Sequence, residues 1–134
     1  MNKPSSQIPW KGLLFVAILL LCTVMALIPG AMDPTGFLND KFKHAVTFFS
    51  LALMLDCLAF PTARFVVLKP LGLFMFGILL EVLQNHVGYR QGNTGDLTDI
   101  LSNLIGISGY FLMAAVVRYF LRPDPEALPG TGEV

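Results

Sequence analysis

The stretch EVLQNHVGYRQGNTGDLTDILSN carries Glu81, Gln84, His86, Arg90, Asp96, Asp99 and Asn103. Charge-free runs flank it, LGLFMFGILL before and LIGISGYFLMAAVV after. A second polar group, DKFKH, sets Asp40, Lys41 and His44 at the head of another apolar run. Residues of these types support three kinds of chemistry. Arg90 and the lysines could take a phosphate. The carboxylates could hold a divalent cation that bridges phosphates. A carboxylate and His44 could exchange protons, with Glu81, Asp99 and His44 as the candidate catalytic groups. No P-loop, HExxH, GxSxG or Ser-His-Asp order selects among them, so the sequence leaves open whether any reaction is catalysed.

Helical spacing brings these groups onto faces. Asp40 and His44 are four apart, and Phe48 continues their stripe. Glu81, Gln84 and Asn85 share a face, as do Asp99, Ser102, Asn103 and Gly106. Asp96 stands just before that last stripe, and Arg90 lies in a Gly- and Asn-rich connection. Ionisable groups at or inside a bilayer are expensive and face a cavity, a partner or a substrate. The structural alternative is that Glu81 and Asp99 pair with Arg90, Lys41 or His44 and only pin helices together. His86 reads as an interfacial histidine with one ring edge in water. Asp56 reads as a carboxylate that snorkels to water or pairs with Arg64.

The elements that must carry these residues follow from composition. The chain has 134 residues, enough for one domain, and 13% are charged. Soluble domains carry about 25%. Net charge is zero, and no motif suggests nucleic acid. Four apolar blocks approach the roughly 17–25 residues a membrane helix needs: Gly12 to Ile28, His44 to Phe60, Phe65 to Leu83 and Thr98 to Leu121. The middle two are short and are expected to gain length from polar turns. Asn39 or Asp40 can cap the second helix, and Asp96 or Thr98 the fourth. The first block is longer than a signal-peptide core and LIPGAM is a poor cleavage site, so it is expected to remain as a span. Cys22 and Cys57 read as buried free thiols. Ser102-x-x-x-Gly106 has the close-packing period, whereas Gly72 and Gly77 do not. Trp10 and Tyr119 suit interfaces.

Lysine and arginine set the orientation. Lys3, Lys11, Arg64, Lys69, Arg118 and Arg122 fall on one side, against Lys41, Lys43 and Arg90 on the other. The positive-inside rule then puts both termini in the cytoplasm and the polar groups outside. The expected architecture is an all-α, multi-pass, four-transmembrane-helix bundle in the bacterial inner membrane. Residues 1–11 form a cytoplasmic segment, 12–121 the membrane domain and 122–134 a disordered tail, rich in Pro and Gly.

The order of these motifs resembles the VanZ-like membrane protein family. Asp40, Lys41, His44 and Phe48 read DKxxHxxxF; Glu81 and Gln84 read ExxQ; Arg90 and Asp96 follow, then Asp99, Asn103 and Gly106 as DxxxNxxG. FFSLALMLDCLAFP is similar to the short proteobacterial members. The resemblance spans residues 12–120, with a longer run than usual, QGNTG, between Arg90 and Asp96. It implies a four-span envelope protein, in a family named for teicoplanin resistance, and supplies no reaction by itself. Three functions stand open. The first is an accessory protein whose outward cleft, formed by Asp40, Lys41, His44, Glu81, Gln84, Arg90, Asp96, Asp99 and Asn103, engages lipid-linked cell-wall precursors, membrane lipids or another membrane protein. The second is a small enzyme acting on a phosphorylated lipid head group. The third is a structural bundle.

Overall fold

The structure, a computed structural model, describes residues 10–62, 65–87 and 95–121, with Asp96 described by its backbone alone. Four helices follow one another: α1 (Trp10–Leu27), α2 (Asp40–Met54), α3 (Leu68–Val87) and α4 (Gly95–Phe120). A 3-10 turn, Gly30–Met32, follows α1, and α2 runs on into a π-helical turn, Leu55–Ala59. The described residues contain no strand. All four helices, with the π turn counted into the second, are long and apolar enough to cross a membrane. Arg64, Arg90 and the tail from 122 to 134 lie outside the described residues.

The helix ends have local causes. Asn39 Oδ1 accepts hydrogen bonds from the backbone amides of Lys41, at 3.0 Å, and Phe42, at 3.4 Å, so Asn39 rather than Asp40 caps α2. That cap draws the polar residues Asp40 to Lys43 into the first turn and lengthens the second apolar block at its polar end. α4 begins at Gly95, which places Thr98 inside the first turn rather than at the cap. Pro70 sits in the first turn of α3, where its missing N–H costs no helical bond.

The core forms chiefly between α2 and α4, with α3 laid against α4. Gly106 sets this geometry. A Cβ there would collide with the Ala45 carbonyl oxygen and come within 3.0 Å of the Phe49 amide nitrogen, so the two backbones touch. The small-x-x-x-small stripe is therefore the α2–α4 seam. Gly77 makes a second close approach without a partner glycine. A Cβ there would lie 3.0 Å from Asn103 Nδ2 and 3.1 Å from the Phe48 ring. Phe48, Leu51, Ala52, Ile107 and Tyr110 fill the centre.

α1 stands at the periphery, with Phe15 its one buried residue. Most of the outer surface is apolar, including Leu20, Val24, Leu79, Leu112 and Val116. In water such a surface would be prone to association; against lipid tails it is matched. The thiols correct the sequence reading in part. Both are free, but Cys22 is half-buried and Cys57 is exposed, although its Sγ reaches the Tyr110 hydroxyl at 3.5 Å. Trp10 and Tyr119 are exposed near the ends of α1 and α4.

Candidate functional site

His44 is the hub of the polar cluster. Its Nδ1 lies 2.9 Å from Asn103 Oδ1 and 3.6 Å from Glu81 Oε1. Its Nε2 lies 3.9 Å from Asp40 Oδ2 and 4.0 Å from Asp99 Oδ2. Three helices supply these groups: α2 gives Asp40 and His44, α3 gives Glu81, and α4 gives Asp99 and Asn103. Glu81, Asp99 and Asn103 are buried, Asn103 at 1% exposure. Helix periodicity explains the convergence. Each polar residue lies on the face that its helix turns toward the others, and the Gly106 contact brings α2 and α4 close enough for His44 to reach Asn103.

A second layer reaches out from Asp40. Lys43 Nζ lies 3.0 Å from Asp40 Oδ1 and 2.8 Å from Asp33 Oδ2. Asp33 Oδ1 accepts from the Thr35 amide at 2.8 Å and from the Thr35 hydroxyl at 2.6 Å, an Asx-turn that shapes the connection into α2. The bonds from Lys43 and Thr35 hold the Asp33 carboxyl well below the usual carboxylate range. Gln84 does a different job. Its Nε2 donates to the Ala26 carbonyl at 2.7 Å, which satisfies one of the last carbonyls of α1 and ties that helix to α3.

The structure thus brings together Asp40, His44, Glu81, Asp99 and Asn103, with Gln84 beside them. Lys41 is exposed, and Lys43 is the lysine that engages Asp40. Asn85 and His86 are exposed as well, so the buried face of α3 narrows to Glu81 and Gln84. Lys43 was identifiable from its i,i+3 spacing to Asp40. Asp33 was not, because its pairing depends on the turn between α1 and α2.

The cluster opens onto a groove between α1 and α2, with a volume of about 380 Å³. Asp33, Asp40, Lys43, His44 and Gln84 line it at the polar end, and Leu21, Met25, Val46, Phe48, Leu51 and Leu80 supply apolar wall. The groove is amphiphilic by construction, since α2 turns from charged to apolar along its length. One nitrogen of His44 and one oxygen each from Asp40 and Asp99 lie within 4.8 Å of one another, a set of mixed N and O donors suited to a divalent cation.

A separate polar knot sits at the opposite end of α2. Asp56, in the π turn, does not snorkel to water: it is buried at 6% exposure, and Arg64, the other partner expected for it, lies outside the described residues. Asp56 accepts hydrogen bonds from Lys69 of α3 and from Tyr110 and Arg118 of α4, the tyrosine at 2.8 Å. Lys69 also donates to the Thr62 carbonyl at 2.9 Å. One carboxylate thereby joins three helices. The available signal was that Asp56, Lys69 and Arg118 occupy the same end of three successive apolar blocks.

No protein-family model, curated protein or solved structure matches the chain.

Proposed function

We propose that this chain is a multi-pass protein of the bacterial cytoplasmic membrane, akin to the VanZ-like family. In this reading it acts as an accessory protein whose polar cleft, on the outer side, engages lipid-linked envelope precursors. The observation that carries the reading is the groove between α1 and α2. Its volume of about 380 Å³ falls within the roughly 300–1,000 Å³ of small-molecule sites. Its walls suit the first units of a polyprenyl chain, and its polar end suits a hydrogen-bonding head group. The carboxylates accept from the hydroxyls and amines of a sugar–peptide head group, and Lys43 meets phosphate.

The test is binding of a polyprenyl diphosphate-linked sugar to the full chain in nanodiscs, read by native mass spectrometry. Wild type should retain the lipid, and Asp40→Asn and Lys43→Gln, at the polar end of the groove, should lose it by about tenfold or more, the scale of a lost hydrogen bond to a charged group. Expression in a glycopeptide-sensitive Gram-positive host should raise teicoplanin tolerance for the wild type alone. Equal retention by all three proteins would remove the basis of the proposal.

The position of His44 among carboxylates at the groove supports a second reading, an enzyme acting on a phosphorylated lipid head group. Release of inorganic phosphate from that lipid, lost in Glu81→Gln, would distinguish it from binding alone.

A further inference from the structure

The chemistry around His44 is incomplete as it stands. Nδ1 faces two acceptors, Asn103 Oδ1 at 2.9 Å and Glu81 Oε1 at 3.6 Å, so Nδ1 carries a hydrogen. In the neutral ring Nε2 is then the lone-pair nitrogen. It faces Asp40 Oδ2 at 3.9 Å and Asp99 Oδ2 at 4.0 Å. Both separations exceed the roughly 2.7–3.2 Å of a hydrogen bond. They suit three donors around one ion held at about 2.0–2.6 Å, the span from zinc to calcium.

Asn103 adds an independent observation. It is 1% exposed, and its Nδ2 has no hydrogen-bond partner among the described residues. A buried donor left unpaired costs about 1–3 kcal/mol, which leucine at this position would avoid. What asparagine adds is the oxygen that fixes the tautomer and tilt of His44. Ligating histidines are commonly oriented in this way, by a hydrogen bond from their other ring nitrogen.

We propose that Asp40, His44 and Asp99 form a binding site for a divalent first-row metal ion. The imidazole favours manganese, iron, cobalt or zinc over magnesium. Three protein ligands leave positions open, and Asp40 and His44 both line the groove. An ion there presents its open side to the groove and offsets the acidic excess of Asp33, Asp40, Glu81 and Asp99. It thereby makes the polar end attractive to a phosphate. This last step rests on the reading of the groove as an amphiphile site; the metal site does not.

The experiment titrates Mn²⁺ alone into the full chain in nanodiscs and follows the free-ion signal by electron paramagnetic resonance. Wild type should bind saturably at one ion per chain, with competition by Zn²⁺. His44→Gln, Asp40→Asn and Asp99→Asn should each weaken binding tenfold or more, and Asn103→Leu by about 10–100-fold. His86→Ala should bind as wild type does. Asp40 lies at the partly exposed edge, so its variant keeps the test valid if a buried substitution fails to fold. Absence of saturable binding, or equal binding by wild type and the Asp40 and Asp99 variants, overturns the metal site. A second arm measures binding of polyprenyl phosphate with Mn²⁺ and with EDTA. Binding that requires the ion supports the bridge. Binding unaffected by EDTA overturns the bridge and leaves the amphiphile reading in place. Mn²⁺ binding with no lipid binding supports the metal site and overturns the amphiphile reading.

Discussion

At the residue scale, Asn103 separates positioning from packing. Asn103→Leu removes an orphaned amide, but it brings a bulkier side chain against Gly77 and loses the bond to His44, so the folded protein should melt a few degrees below wild type. The same change should free His44 to rotate and should abolish ligand retention. Thermal unfolding and native mass spectrometry on one sample check both halves. Asp33 offers a pH test. Its carboxyl is held below the ordinary value by Lys43 and Thr35, and an unperturbed aspartate titrates near pH 3.9. A depressed carboxylate contributes stability that is fully present above its unfolded pKa and is lost as pH falls toward the folded one. Wild type should therefore out-melt Asp33→Asn by a constant margin from about pH 5 to pH 7, and the margin should narrow below about pH 4. A margin that narrows near pH 6 would contradict this origin. The candidate residues at this scale were legible where helix spacing alone groups them: Asp40 with His44, Glu81 with Gln84, Asp99 with Asn103. Lys43 follows the same rule through its i,i+3 spacing to Asp40; Asp33 and the outward turn of Lys41 were not legible, because they depend on turn geometry and on how far α2 is rotated.

At the element scale, the seam between α2 and α4 depends on one missing side chain. Gly106→Ala would push a methyl into the Ala45 carbonyl. Overpacking of this kind costs about 1–3 kcal/mol and here acts on backbone, which cannot rotate away. Gly109→Ala meets no atom nearer than the Phe49 ring at 3.8 Å and should be neutral or stabilising, since alanine is the better helix former by about 1 kcal/mol. Denaturant unfolding in mixed micelles should separate the two variants in that order, and equal stability would show that the seam is looser than described. The Ser102-x-x-x-Gly106 stripe announced this contact in the sequence. The helices were equally legible as apolar blocks, but their ends moved. The Asn39 cap starts α2 at Asp40, and the start of α4 at Gly95 puts Thr98 inside the helix. The π turn left no local signal, and it is what brings Asp56 to Tyr110.

At the scale of the whole molecule, two polar systems lie at opposite ends of an apolar bundle. The Asp56 knot locks α2, α3 and α4 together, and the His44 cluster opens on the groove beside the peripheral α1. Asp56→Asn should leave Lys69, itself buried, without its carboxylate. Removing one partner of a buried pair costs about 3–5 kcal/mol, so this variant should unfold early while the His44 site itself is untouched. Unfolding midpoints of Asp56→Asn and Asp99→Asn check the contrast, with the larger loss expected for Asp56. The His44 cluster was legible as one cleft, because the polar helix ends fall on the same side of four alternating spans; the Asp56 knot was not, because Asp56 was expected to snorkel or to meet Arg64, and its real partners come from two other helices. The measurement that bears most directly on the account is photo-crosslinking with a diazirine-bearing polyprenyl phosphate in membranes containing the full chain. The account predicts labelling concentrated on Leu21 to Ala26 of α1 and Phe42 to Thr47 of α2, competed by unlabelled polyprenyl phosphate and not by neutral lipid. Labelling spread evenly over the exposed apolar faces, such as Leu112 to Tyr119 of α4, would contradict it.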